Sequence, residues 1–335
     1  MNEPKTLQEA IACFADPEKC FRYAVKLRWP GGEIACPRCG EQRFSFIKTR
    51  RIWFCYTCKK QFTVKVKTIM EDSALGLDKW MTAIWMLSNC RNGVSSHELA
   101  RSLGITQKSA WFMLQRIREA LTEQKFGRGP VGGPGRQVEA DETFIGGKVS
   151  NMHAKRRAQF EKIGMSTNKA IVQGFYDRQL RKVRATVVPD VKRETLQNML
   201  LKNIKFGSAV YTDSAVGYNK LLQTFVHEVV NHTQEYVRGQ VHTNSIENFW
   251  SLLKRSLKGT YVCVEPFHLS RYVGEQVFRF NNRKDGDRKI SDAERFSTAM
   301  SGLYGKRLTY ADLTGKDESP RHETTGAGET QQVPF

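Results

Sequence analysis

The chain has 335 residues, 40% hydrophobic and 26% charged, an ordinary globular composition with length for two or three domains. Fifty-three Lys and Arg against 34 Asp and Glu leave a formal charge of +19, which favours a polyanionic partner because each cation set on a phosphate releases condensed counterions. No run approaches the roughly 18 apolar residues of a membrane span, the first fifteen residues lack a basic-then-apolar leader, and a cytoplasmic protein without a membrane partner is expected.

Residues 1–30 repeat apolar positions at helical spacing (Leu7, Ile11, Phe14, Phe21, Val25, Trp29), and Pro30-Gly31-Gly32 ends that helix. Short β-like runs, Phe44–Lys48 and Arg51–Cys55, follow between cysteine pairs. Helical spacing returns over Asp78–Cys90 and again from Ser95 to Gln124. The Gly-, Pro- and Arg-rich stretch 127–136 is expected to be a linker. Beyond it strands are expected at Gln137–Ile145, Ala170–Tyr176, Lys182–Val188 and Gly207–Thr212, with an amphipathic stretch at Lys192–Leu201 and helices at Ser245–Leu257 and His268–Asn281. The expected order is a helical segment (1–33), a zinc ribbon (34–68), a helix-turn-helix region (69–126), the linker, an α/β domain with a mixed sheet (137–313) and a disordered tail (314–335). The fold class is multidomain α+β.

Cys36-Pro-Arg-Cys39 and Cys55-Tyr-Thr-Cys58 set two CxxC pairs 15 residues apart. Each pair lets two thiolates of one tight turn face one ion, so Cys36, Cys39, Cys55 and Cys58 are expected to hold a structural Zn²⁺. Cys13, Cys20, Cys90 and Cys263 are scattered, which suits a reducing compartment better than a disulfide framework. In residues 95–118, Leu99 and Leu103 form one inner face, Gly104 a turn, Thr106 a cap, and Ala110, Met113, Leu114 and Ile117 a second stripe. Gln107, Lys108, Ser109 and Trp111 would then stand near the start of a recognition helix, where base edges are read.

Val138–Ile145 alternates as a strand with acids at its end, and Ala209–Ser214 is an apolar strand that ends on Asp213. In His242–Arg255, Ile246, Phe249, Trp250, Leu253 and Leu257 share one stripe, with Glu247, Ser251, Lys254 and Lys258 on the strip beside it. The blocks VEADETFIGGK, VYTDSAVGYN and HTNSIENFWSLLKRSLKGTY, in this order behind a ribbon and followed by RFNNR, resemble the zinc-ribbon, ISXO-like insertion-sequence transposases. The resemblance covers about residues 20–285 and implies a ribonuclease-H-like domain with an Asp-Asp-Glu set and a lysine one helical repeat on: Asp141, Asp213, Glu247 and Lys254. Some relatives replace the third acid, which makes Asn248 and Asn244 rivals. Glu247 is preferred because it shares the strip of Lys254, whereas Asn248 points about 100° further round.

Such enzymes use two Mg²⁺ or Mn²⁺ ions, held by carboxylates, to cut at an element's ends and join the freed 3′-hydroxyl to target DNA. By resemblance Asp141 bridges both ions, Asp213 and Glu247 hold one each, and Lys254 neutralises a phosphate; Lys258 is a further DNA contact. Double-stranded DNA, as transposon ends and as target, is the expected partner, with the chain at the nucleoid and a homodimer or larger assembly on DNA. The alternatives are a non-catalytic DNA-binding protein derived from such an enzyme and a zinc-ribbon transcription factor. Glu139, Glu142 and Asp190 are secondary acids. His227, His232 and His242 are read as solvated or core histidines, Gly146-Gly147-Lys148 as a hairpin turn, and 153–162 as a basic segment open to phosphate contact.

Overall fold

The computed structural model describes residues 4–122, 129–146, 154, 157–158, 169–213, 226–230 and 242–315. The helix expected over residues 1–30 is two helices, α1 (Leu7–Phe14) and α2 (Pro17–Arg28). Asp16 Oδ1 accepts from the N–H groups of Glu18 at 2.9 Å and Lys19 at 3.2 Å, and Pro17 at the first helical position has no N–H to leave unpaired. That cap restarts the helix, while the proline ring prevents α1 from running through it.

Strands β1 (Phe44–Ile47), β2 (Ile52–Cys55) and β3 (Gln61–Phe62) form an antiparallel sheet. Trp53 stacks on Phe62, with ring centroids 5.4 Å apart, and on Phe21 of α2 at 5.6 Å. The ribbon has no separate core: Trp53, Phe62 and Val64 continue into a cluster with Ala24 of α2 and with Trp80 and Trp85 of α3 (Leu77–Asn89). Next, α4 (Ser96–Leu103) and α5 (Gln107–Leu121) meet at Gly104, whose φ of +59° lies in the left-handed region glycine enters without steric cost. Thr106 caps α5 by accepting from Ser109 N at 3.2 Å. Leu99, Ala110, Met113, Leu114 and Ile117 are buried, and Leu103 is half-buried.

The second half is built on a five-stranded sheet of β4 (Gln137–Ile145), β5 (Ala170–Asp177), β6 (Lys182–Val188), β7 (Ala209–Asp213) and β8 (Val226–Val230). Their spatial order is β6-β5-β4-β7-β8. β4–β5 and β5–β6 are antiparallel, whereas β4–β7 and β7–β8 are parallel. Leu196 and Leu200 of α6 (Arg193–Asn203) pack against Val138, Ala140, Phe175 and Val210. On the opposite face, α7 (Asn244–Ser256) and α8 (Leu269–Asn281) lay Ile246, Phe249, Trp250 and Val273 against Val172, Tyr176 and Val183. Strand side chains alternate between faces, so β4 gives Val138 and Ala140 to α6 and Glu139 and Asp141 to α7.

The described part of the expected linker is docked on this half. Val131 N donates to Asn203 O at 2.7 Å, Lys205 N to Val131 O at 2.8 Å, and Gly132 N to Asp177 Oδ2 at 3.0 Å. Residues 131–136 are therefore the first layer of the sheet half, held by backbone groups whose donors and acceptors must be satisfied.

The last elements of the expected 137–313 unit pack on the first half of the chain rather than on the sheet. After α8, a hairpin of β9 (Lys284–Asp285) and β10 (Arg288–Lys289) leads to α9 (Asp292–Ser301) and α10 (Tyr310–Thr314). Phe296, Met300 and Leu303 bury into the N-terminal cluster, where Phe296 lies 5.3 Å from the rings of Phe14 and Trp85. The halves also meet through a buried ion pair, Arg118 of α5 with Glu275 of α8 at 2.6 Å, to which Tyr261 and Arg279 add hydrogen bonds. Among the described residues no helix is long and apolar enough to cross a membrane.

Candidate active site

Two polar sites stand out. In the ribbon the four sulfurs of Cys36, Cys39, Cys55 and Cys58 lie within 4.8 Å of one another. The Cys36–Cys58 pair is 3.8 Å apart and the Cys39–Cys55 pair 3.6 Å. Four thiolates at about 2.3 Å from a tetrahedral zinc would stand roughly 3.8 Å apart, so the donor set fits the ion. The N–H groups of Cys58 and Thr57 lower the Cys55 thiol while its hydrogen-bonded partner Cys39 is raised, so thiolate charge settles first on Cys55.

The second site is a cleft of about 640 Å³ over the α7 face of the sheet, lined by Asp141 and Glu142 of β4 and by Glu247, Lys254 and Lys258 along α7 and the turn after it. Asn244 and Asn248 do not line it. Asp213 is the last residue of β7; extending the Gln137–Ala209, Val138–Val210 and Glu139–Tyr211 register by two residues sets it level with Asp141. Asp190 is a local turn acid that accepts from Lys192 N at 3.0 Å. His232, residues 147 and 148, and most of 153–162 lie outside the described residues; of His227 only its backbone position in β8 is described.

Two contacts hold α7 against β4. Glu139 is fully buried, and its Oε2 accepts from the N–H groups of Ser245 at 2.9 Å and Ile246 at 3.0 Å. A helix start leaves such N–H groups without internal partners and carries partial positive charge, so a carboxylate there is doubly favoured. Arg178 closes the arrangement: Nε pairs with Glu139 Oε1 at 2.7 Å, and a terminal nitrogen donates to the His242 carbonyl at 2.6 Å. His242 is thus half-buried beside an ion pair, with Nδ1 3.6 Å from Glu139. Further along, Trp250 Nε1 donates to Asp141 Oδ2 at 2.9 Å. The close approach depends on Gly174, Asp141's partner on β5, because a Cβ there would fall 2.6 Å from the Trp250 ring.

At the start of α5, Gln107 and Lys108 are exposed and Ser109 is half-buried. Gln107 Nε2 donates to Ser96 Oγ at 2.8 Å, Lys108 lies over the Tyr310 ring at 5.1 Å, and Trp111 packs edge-on to His268.

Comparison with known proteins agrees with this layout. Residues 132–281 match the ISXO2-like transposase domain, and residues 15–61 match the transposase zinc-ribbon domain. An uncharacterized transposase-like protein of Haemophilus influenzae is 34% identical over 102 residues, 30% of this chain and 82% of that one. The chain belongs to the ISXO2-like transposase family. A second relative, an uncharacterized protein in transposable element ISH50 of Halobacterium salinarum, is 26% identical over 261 residues, 74% of this chain and 85% of that one.

Within this transposase-family chain, sequence reasoning passed over Arg178 and the Trp250–Asp141 bond and ranked Glu139 as a secondary acid. A signal for Glu139 existed. It stands two residues before Asp141 on one strand and so shares its face, where a buried carboxylate requires donors. Nothing local announces that those donors are the start of α7.

Proposed function

We propose that this chain is a DDE-type DNA transposase that binds the ends of its insertion sequence, cleaves there and joins the 3′-hydroxyl to target DNA. The observation that carries the reading is the cleft that gathers Asp141 and Glu247 with Lys254 and Lys258, level with Asp213. A set of carboxylates is the donor chemistry of hard cations, so Asp141, Asp213 and Glu247 would hold two Mg²⁺ or Mn²⁺ ions. Those ions, when bound, supply Lewis-acid activation of the phosphodiester. Water attacks phosphorus, the P–O bond to the 3′ oxygen breaks, and that hydroxyl then attacks a target phosphodiester and displaces another 3′ oxygen, so the count of ester bonds is conserved in joining. Lys254 and Lys258 face the phosphate charge. Glu139 and Trp250 orient the residues around them without touching DNA.

The sheet order, three antiparallel strands continued by two parallel ones with helices on both faces, supports a ribonuclease-H-like reading. The zinc ribbon and the α4–α5 pair act as the DNA-recognition surface, with Gln107, Lys108 and Ser109 at its reading edge. Two ends of one element must be held together, which calls for at least two copies on DNA, at the nucleoid in the cytoplasm.

The test uses purified full-length protein and a labelled duplex carrying the inverted repeats that flank its gene. Mg²⁺- or Mn²⁺-dependent cleavage at the repeat boundary is expected, and Asp141→Asn, Asp213→Asn and Glu247→Gln should each lower it on the order of 10³-fold, a loss of several kcal/mol of metal stabilisation. Asn248→Ala should retain activity. An active Glu247→Gln beside a dead, folded Asn248→Ala would transfer the third ligand to Asn248. Specific binding with no cleavage would reduce the chain to a DNA-binding protein.

A further inference from the structure

A second groove, of about 690 Å³, runs from the end of α3 past α7 to the α8–β9–β10–α9 segment. Arg91, Arg255, Arg283, Lys284 and Lys289 line it and are exposed. Two more arginines in its wall are already committed, Arg279 to Glu275 and Arg295 to Asp292 and Asn89. Asp292 is the one acid in the lining among the described residues. Among the described residues, the side chains of Arg91, Arg255, Lys284 and Lys289 have no acidic partner and no hydrogen bond. Arg283 uses Nε on the Phe280 carbonyl at 3.3 Å. Cations gathered from three distant stretches of chain repel one another unless an anion lies between them.

Arg255 lines both this groove and the carboxylate cleft, so the two are neighbours along the C-terminal half of α7. We infer that the groove seats the phosphodiester backbone of the DNA duplex flanking the scissile phosphate, carrying it from the cleft towards the N-terminal half. The one aromatic among the described lining residues, Phe280, is buried and covered by the Arg283 guanidinium at 3.9 Å, and such a run of cations suits regularly spaced phosphates better than unstacked bases. The inference rests on the transposase reading for the identity of the scissile phosphate; the groove's occupant is tested by binding alone.

The experiment measures affinity of the full-length protein for a labelled duplex across a salt series. One variant combines Arg91→Gln, Lys284→Gln and Lys289→Gln; a control combines Lys192→Gln, Lys202→Gln and Lys205→Gln on the α6 side of the sheet. Each phosphate contact contributes about 0.9 to the slope of log affinity against log salt. The groove variant should therefore lose about 2 to 3 from the slope and bind at least roughly tenfold more weakly at 0.1 M salt, while the control matches the parent. Equal slopes for the two variants would overturn the assignment. So would a loss reproduced in full on phosphatidylserine vesicles, which would make the groove a membrane surface. Cleavage is scored separately: a parent protein that binds with the expected slope difference but never cuts would sink the transposase reading and leave the groove standing.

Discussion

The ribbon and the carboxylate cleft are both sites of concentrated charge, yet opposite means hold them. The farthest ribbon ligands, Cys36 and Cys58, are 22 residues apart in sequence, and two tight turns bring them together. The cleft joins residues more than 100 apart: Glu139 reaches Ser245 and Trp250 reaches Asp141 across separations of 106 and 109. A local site needs little chain ordering and takes its stability from the ion it binds. A distant one must first repay loop closure through packing, here Ile246, Phe249 and Leu253 on the sheet. Even the ribbon is only partly autonomous, since its Trp53 and Phe62 share a core with α2 and α3.

That contrast breaks most visibly on zinc removal. A strong chelator, or Cys39→Ser, should unfold residues 34–66 and disturb Trp29, which packs on Trp53, and the α3 tryptophans, since structural zinc contributes about 10 kcal/mol or more to folding in small sites. Far-ultraviolet circular dichroism and tryptophan emission unchanged after metal loss would show that stacked aromatics suffice. Next in size is Glu139→Ala, which leaves the mostly buried Arg178 and two helix N–H groups unanswered; urea unfolding should report a loss of about 3–5 kcal/mol. A loss under about 1 kcal/mol would mean that water replaces the carboxylate and that α7 is held by apolar packing alone.

Gly174→Ala comes third. Its new methyl meets the Trp250 ring and should cost about 1–3 kcal/mol as α7 is pushed off the sheet; a neutral result in thermal unfolding would show that the helix can shift freely. Smallest in stability is Trp250→Phe, which keeps an aromatic ring but removes the N–H on Asp141, a change of about 0.5–1.5 kcal/mol. Its cleavage rate should nevertheless fall by about 10–100-fold, the usual cost of losing a partner that orients a metal ligand. Parent-like cleavage in a folded Trp250→Phe protein would remove any positioning role from that bond.

Local pattern carried much of the architecture. Alternation located β4 over 137–145 and β6 over 182–188, Gly104 marked the turn between α4 and α5, and the paired CxxC turns marked the metal cluster, because each signal is complete within one element. The restart of α2 at Asp16-Pro17 was equally local, a cap followed by proline, but was masked by apolar spacing that runs on through it. Tertiary structure alone decided that Glu139 caps α7, that Gly174 makes room for Trp250, and that Phe296 and Met300 complete a core begun some 280 residues earlier by Phe14. The reason is physical. A residue's chemistry states that a buried carboxylate needs donors or that an apolar ring needs cover, whereas only the folded chain settles which distant group provides them.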